Sequence, residues 1–529
     1  MARIQRIGAG SLRFYFGDLL PSTDLETGQK LVPMGVFPRG GAGGERRVRV
    51  LHAVRLGGFS AVCRAGSFLE QAGETLDVLA GSDDFRHLAF DIGLAICQLQ
   101  VGRMMNMDPP DHDRAAAWTL VANWVARHRF ATAYLIVVLS WLPLLPSLFD
   151  GGKQGDISVY ENDADSVIQG KMPYRDTLVE YPPYAIPIFL LPRMFGSGDY
   201  LQGFMMLAVF CDLLIRGGLF WAGVRHTDRL RSLLPLICYC AAVPFLRFFC
   251  LQRFDLWPAL ICVAALLLFC RDKPRWSGLA IAIGIGVKVY PAVFVLPLFT
   301  LALRQGKGRR FVAGLIAGLG PIVLLSFVLP WWRFAQFQGD RGLQCESLVA
   351  SFIWSLKRLG LADASWVWVT RWFEVQGPLA SALLPCARGL FLVAVLCSVT
   401  IASLAASRCR AIRIGRLARL LLVPLLGFVA FNQVLSPQFM IWLLPLAALG
   451  TLEGNPWIVL GIPLVTAFTP VIFPSFSGNY GRGLNFLETT VMIMRNFILV
   501  AVWCLLIKEQ WQIWRNGNPD FPSFSHGIS

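Results

Sequence analysis

Charge is what this sequence has least of. Asp, Glu, Lys and Arg make up only 15% of 529 residues, against about 25% in an ordinary soluble domain, while 55% of the chain is hydrophobic. That shortage excludes a soluble enzyme. There is also no Cys-x-x-Cys pair and no His-rich spacing among 13 Cys and 6 His, so neither a metal site nor a disulfide framework is indicated. Cys211, Cys238, Cys240, Cys250, Cys262, Cys397 and Cys504 lie inside apolar runs, where free cysteine packs as a small hydrophobe. Cys345, in a loop, has no evident partner. No Gly-rich nucleotide-binding loop is present, which speaks against a nucleotide-bound substrate.

What is there is a succession of apolar runs from about residue 130 nearly to the C-terminus. A span takes about 20 such residues, so the sequence predicts an all-α, polytopic integral membrane protein. The net charge of +15 is carried in short blocks between these runs. It reads as topology signal rather than as a nucleic-acid surface. Residues 1–125 differ, being rich in Gly and Arg without a spanning run or the pattern of a signal peptide. Met104, Met105 and Met107 precede Asp108-Pro109-Pro110, so 1–125 is expected to be a disordered extension or a mis-assigned start, with a small cytoplasmic domain as the alternative. The membrane domain is expected over 126–507 and a cytoplasmic tail over 508–529.

Basic blocks fix the expected orientation. Arg127, His128 and Arg129 precede a first span near 130–149 and put the N-terminus in the cytoplasm. Blocks around Arg225–Arg231, Arg271–Arg275, Arg304–Arg310 and Arg408–Arg419 should all face the same way. Spans near 200–224, 232–250 and 255–270 alternate correctly, and Ala185–Phe195 is too short to cross and reads as interfacial. The run 277–303 starts and ends beside such blocks, yet holds only one comfortable span. A broken hairpin with its tip near Lys288-Val289-Tyr290-Pro291 satisfies both facts. Residues 420–450 pose the same problem around Asn432-Gln433-Val434-Leu435-Ser436-Pro437-Gln438, and predict a second broken hairpin. With spans near 311–330, 384–405, 456–474 and 487–507, about twelve crossings result, and both termini are cytoplasmic.

This arrangement collects the unusual polar residues on the outer side. They are the acidic loop 150–184, Arg253 with Asp255, Lys288, Arg341 with Glu346, and the amides Gln433 and Gln438. A charge at membrane depth costs about 2.5–3.5 kcal/mol on insertion scales and tends to line a functional cavity. Asp156 precedes an apolar stripe, Ile157, Tyr160, Ala164 and Val167, at the spacing of an amphipathic helix lying on the membrane. It is therefore either the cap of that helix or a functional carboxylate, and Ser158 with Glu161 offers a competing capping box. Asp163 and Asp165 read as solvated acids, with no metal assigned. Arg253 and Asp255 either neutralise each other or serve a site. Trp366, Trp368 and Trp372 read as an interfacial belt.

Asp156 and Tyr160, then Gly170-Lys-Met-Pro173-Tyr174-Arg-Asp176 and Glu180-Tyr181-Pro182-Pro183, resemble the first external loop of glycosyltransferase family 87, polytopic enzymes of the C-type glycosyltransferase superfamily. The resemblance continues at Arg253-Phe254-Asp255, Lys288-Val-Tyr290-Pro291, Arg341 to Ser347, and Ser436-Pro437-Gln438-Phe439 with Trp442, covering about 130–507. It implies a transferase moving mannose or a pentose from a polyprenyl-phosphate donor to a lipid-linked or glycan acceptor at the outer face of the plasma membrane, with no further cofactor. It also implies Asp156 as base. Lys288, Tyr290 and Arg253 are expected at the donor phosphate, and Tyr160, Tyr174, Asp176, Glu180, Tyr181, Asp255, Arg341, Glu346, Gln433 and Gln438 against substrate. The competing reading is a transporter or lipid flippase, because two broken hairpins also describe transporters with sites at discontinuous helices.

Overall fold

The computed structural model describes residues 124–517 except 126, 150–151, 153–155, 195–198, 228–229, 340, 370–371 and 479–485. The expectations for residues 1–123 and for the chain after 517 lie outside the described residues. Nineteen helices are defined: α1 Arg129–Trp141, α2 Leu145–Phe149, α3 Ile157–Ile168, α4 Ala185–Met194, α5 Tyr200–His226, α6 Leu234–Ala242, α7 Arg247–Gln252, α8 Leu256–Cys270, α9 Pro274–Val287, α10 Val295–Arg304, α11 Gly308–Leu325, α12 Arg333–Gly339, α13 Leu348–Arg358, α14 Pro378–Ser407, α15 Ile414–Ala430, α16 Met440–Gly450, α17 Pro456–Ala467, α18 Thr469–Gly478 and α19 Phe486–Asn516. An antiparallel hairpin, β1 Ser365–Val369 with β2 Trp372–Gln376, pairs Trp366 with Val375 and Trp368 with Phe373. The segment expected to be an aromatic belt forms this strand pair.

Among the described residues, six helical segments are long and apolar enough to cross a membrane: Tyr200–His226, Arg231–Gln252, Gly308–Leu325, Pro378–Ser407, Pro456–Phe473 and Phe486–Asn516. Shorter apolar helices run over Arg129–Trp141, Ala185–Met194, Leu256–Cys270, Tyr290–Arg304 and Pro437–Gly450. The chain is a helical membrane protein. α19 continues through Asn516, so the helix does not end near 507.

Both expected breaks are present, and local chemistry explains them. α9 stops at Val287, and Lys288 takes extended backbone, φ −156° and ψ 138°. Three residues on, Pro291 lacks the amide proton a continuous helix would need, and a tight 3-10 turn, Tyr290–Phe294, leads into α10. In the second break Ser436, just before Pro437, is extended at ψ 145°, as the residue preceding proline prefers. Asn432 accepts the Val434 N–H through its side chain at 2.9 Å, forming a local turn in place of helix.

The ends of these hairpins meet. Asp272, at the start of the first, contacts Lys307 at its end. Glu453, after the second, receives the Arg416 N–H at 3.0 Å and pairs with Arg413 at 3.7 Å. His226 reaches the same Glu453 at 3.9 Å, and Arg225 and Arg271 share the face of Trp221 at 4.8 and 3.7 Å. All four basic blocks therefore occupy one end of the bundle, and both hairpin tips point to the other. Arg419 departs from its block: it is 1% exposed and ties α15 to Glu509 of α19 with an Nε to Oε1 bond of 2.8 Å.

α9 and α11 lie side by side in the same direction because small residues let their backbones touch. A Cβ on Gly278 would overlap the Phe311 carbonyl, and one on Gly314 that of Arg275. Such close approach is how helices associate where lipid removes the hydrophobic drive. α16 is buried along its whole length and α15 nearly so, so the second hairpin is the centre of the bundle. An all-round apolar helix belongs in such a place.

Candidate active site

The two tips and the loops around them enclose a cavity of about 1240 Å³. Asp156, Glu180, Tyr181, Arg253, Lys288, Tyr290, Arg341, Glu346, Gln433 and Gln438 all contribute to its wall. Sequence positions almost 300 apart thus meet at one place. Phe249, Phe334, Phe391, Phe428, Phe439 and Phe473 supply apolar surface to the same wall.

Asp156 stands at the N-cap of α3, yet its side chain makes no capping bond. Its carboxylate instead pairs with the Arg253 guanidinium and receives the Tyr181 hydroxyl at 3.4 Å. Of the two sequence readings, a cap and a functional carboxylate, the cap is removed. Burial, then Glu180, pushes the Tyr181 phenol well up from its usual value, so it stays protonated and donates. Burial pulls Arg253 down to about 10, opposed by Asp255. It remains a cation at neutral pH.

Asp255 is fully buried and does not face the cavity. Its Oδ1 accepts the Lys288 ammonium at 2.6 Å and the Trp442 indole N–H at 2.6 Å. The residue expected against substrate therefore pins the first hairpin tip to the second. Tyr290 completes the joint by stacking on Trp442, centroids 4.3 Å apart and planes 11° off parallel. Lys288 lies against the rings of Phe254, Trp442 and Tyr181, at 4.6, 4.9 and 5.7 Å, a cation–π setting that fixes the ammonium at the cavity wall. The Tyr290 ring lines the cavity, but its hydroxyl meets the Cys262 thiol at 3.6 Å inside the bundle. That hydroxyl is turned away from a phosphate in the cavity.

Three loop residues expected against substrate hold the loop in shape instead. Tyr160 is 0% exposed and stacks on Phe189, centroids 4.6 Å apart, beneath the site. Tyr174 is buried at φ 64° and donates to the Tyr181 carbonyl at 2.6 Å. Asp176 accepts the Met172 N–H at 2.8 Å and closes that turn. Tyr184 then anchors the loop, its N–H on the Gly286 carbonyl at 2.8 Å and its hydroxyl on the Gly318 carbonyl at 2.7 Å. The run from Pro173 to Pro183 is a brace that presents Glu180 and Tyr181. Asp163 is buried and so is not the solvated acid the spacing suggests, while Asp165 keeps a solvent-exposed side chain paired with Arg193 at 2.8 Å.

Glu346 and Gln433 border the cavity but have work in the wall. Glu346 Oε2 takes Arg495 of α19 at 2.6 Å. Gln433 donates to the Arg341 carbonyl at 2.9 Å and accepts from Arg388 at 2.9 Å. Arg388 also donates to the carbonyls of Gly339 and Arg341, at 3.0 and 3.2 Å, and fastens the segment 339–344 over the second tip. Gln438 differs: it is 9% exposed, and its Oε1 has no hydrogen-bond partner among the described residues. Arg388 and Arg495 escaped the sequence reading although each is a lone charge in an apolar run, the signal that singled out Lys288. Trp368 and Phe373 of the strand pair also reach the wall.

A helical membrane protein with a large cavity, lined by both phenylalanines and charged side chains, is the class these features define. The model of glycosyltransferase family 87 matches residues 179–437. Over that stretch the chain is similar to the family, which indicates a membrane glycosyltransferase. The matched stretch holds Glu180, Tyr181, Arg253, Asp255, Lys288, Arg341 and Gln433, while Asp156 lies before it. No curated protein matches the chain.

Proposed function

We propose that this transferase takes mannose or a pentose from a polyprenyl-phosphate donor, and that Asp156 is the base that deprotonates the acceptor hydroxyl. The observation that carries the reading is one cavity whose wall holds a carboxylate, Asp156, the cations Arg253, Lys288 and Arg341, and seven phenylalanines. A sugar on a lipid phosphate has matching parts: an apolar tail, an anionic link and a polar head. The acceptor is a lipid-linked sugar or glycan, and no cofactor beyond the donor is required.

In the proposed reaction the acceptor oxygen attacks the anomeric carbon while its proton passes to Asp156. The bond from that carbon to the phosphate oxygen breaks, and the electron pair leaves on the phosphate. Negative charge grows there, so fixed cations stabilise the transition state more than the ground state. Lys288, held by Asp255 and three rings, is such a cation. Gln438 lines the cavity, and its buried side-chain oxygen has no hydrogen-bond partner among the described residues, so its amide is available to a sugar hydroxyl. The basic end of the bundle is placed in the cytoplasm by the excess of Lys and Arg, which opens the cavity to the outer face of the plasma membrane.

The test is donor choice. Purified protein is offered polyprenyl-phosphate sugars and nucleotide sugars in parallel, with a glycolipid extract as acceptor. Transfer is expected only from the lipid donor. Equal or better transfer from a nucleotide sugar would overturn the reading.

A further inference from the structure

A base held by a guanidinium is a poor base. The cation favours the charged form and lowers a carboxylate's proton affinity. Asp156 is so held, with Tyr181 donating to the same oxygen. We propose that Arg253 is a transferable cation, which suppresses Asp156 while paired with it and moves to the donor phosphate when the donor binds, so that the base is freed only after the donor is seated. The proposal rests on the functional reading above and adds an order to it, donor before acceptor.

The asymmetry between two neighbouring ion pairs selects Arg253 for this role. Lys288 is paired with Asp255, whose side chain is 0% exposed. Withdrawing Lys288 would leave a carboxylate uncompensated in the interior, at heavy cost. Arg253 is paired with Asp156, whose side chain is 23% exposed on the cavity wall. Water or an acceptor hydroxyl can replace the guanidinium there, so parting this pair costs far less.

The backbone permits the motion without rearrangement. Phe254 and Asp255 are fully buried and fix the chain just beyond Arg253, which itself sits extended at φ −127° and ψ 145° between α7 and α8. Only the side chain has to swing. Its destination is also on the cavity wall, where Lys288 and Arg341 already gather positive charge. A guanidinium can hold a phosphate through two parallel N–H bonds. The exchange therefore trades one charge-assisted contact for another, and it leaves Asp156 with the Tyr181 hydroxyl alone.

The balance of the step is unchanged by the exchange. The acceptor proton ends on Asp156, the new bond joins acceptor oxygen to anomeric carbon, and the departing pair resides on a phosphate now faced by Arg253 as well as Lys288. Without donor, Asp156 does not compete for protons from water or acceptor.

The experiment follows the carboxyl directly. Purified full-length protein is titrated from pH 4 to pH 8 with a carbodiimide and an amine, which together label protonated carboxyls, and labelling of Asp156 is quantified by peptide mass spectrometry. Polyprenyl phosphate without sugar is the probe. It should raise the labelling midpoint of the wild-type protein by about 1 pH unit or more, the lower bound of an arginine's usual effect on an aspartate. Arg253→Gln should start at the higher midpoint and move little, and Arg253→Lys should retain the shift. An unchanged wild-type midpoint in saturating polyprenyl phosphate, or the same shift in Arg253→Gln, overturns the exchange. A shifted midpoint with no transfer from any polyprenyl-phosphate sugar would leave the exchange standing and defeat the functional reading instead.

Discussion

Removing the charge of Asp255 should damage the protein in a way that removing Lys288 as well repairs. The Asp255 carboxylate is fully buried and holds both the Lys288 ammonium and the Trp442 indole at 2.6 Å. In Asp255→Asn the amide oxygen can still accept from Trp442, but the ammonium loses its counter-charge. Breaking a buried pair by one partner costs about 3–5 kcal/mol, whereas removing both partners is often near neutral. The Lys288 side chain is 13% exposed and can lean into the cavity, so the lower end, about 3 kcal/mol, applies to this variant. Lys288→Met strands the carboxylate instead and should cost at least as much. The double variant should fall short of the summed losses by about 2 kcal/mol or more, within the range measured for coupled neighbours. Unfolding in mixed micelles across the four proteins gives this coupling, and turnover is measured in parallel. The double variant should be folded and inactive, because the cation at the leaving group is gone. Losses that add within about 0.5 kcal/mol, or a double variant that regains turnover, would refute the reasoning.

Glu346→Gln should lower stability by about 3 kcal/mol through its buried partner Arg495, while turnover per folded molecule stays within a few-fold; a selective loss of turnover in the same unfolding and transfer assays would return Glu346 to the substrate. Arg388→Gln should loosen the segment 339–344 and raise KM for the donor more than it lowers kcat, as steady-state kinetics would register. Single cysteines at 307 and 410 should be labelled from the same side of the membrane and one at 338 from the other, by impermeant maleimide on intact cells and inverted vesicles. Labelling of 307 and 338 from one side would contradict the hairpin geometry.

Both hairpin breaks were legible because a polar tip interrupts an apolar run that charge blocks require to turn back. The identities at those tips, Lys288 and the amides from Asn432 to Gln438, also marked one cavity in advance. What was not legible is which of the neighbouring polar residues face it. Asp176 and Tyr174 belong to the same motif as Glu180, yet they close a turn through the Met172 N–H and the Tyr181 carbonyl, and no spacing distinguishes a turn-forming carboxylate from a substrate-binding one. Asp255 and Glu346 were singled out as charges, but their partners sit 33 and 149 residues away, a pairing that only the packed bundle reveals. The strand pair was readable in principle, since the residues after Ser365, Trp-Val-Trp-Val, are all aromatic or β-branched, the types that strands favour. Its tryptophans suggested a membrane interface instead.

The central claim, that Asp156 is the base, is tested most directly by Asp156→Asn. The amide keeps the shape and hydrogen-bonds Tyr181 as before, but it cannot take a proton. With transfer from a polyprenyl-phosphate sugar measured on wild-type and variant protein matched for folded amount, the account predicts loss of nearly all turnover, on the order of 100-fold or more, the contribution typical of general base catalysis. Activity within a few-fold of wild type would contradict it.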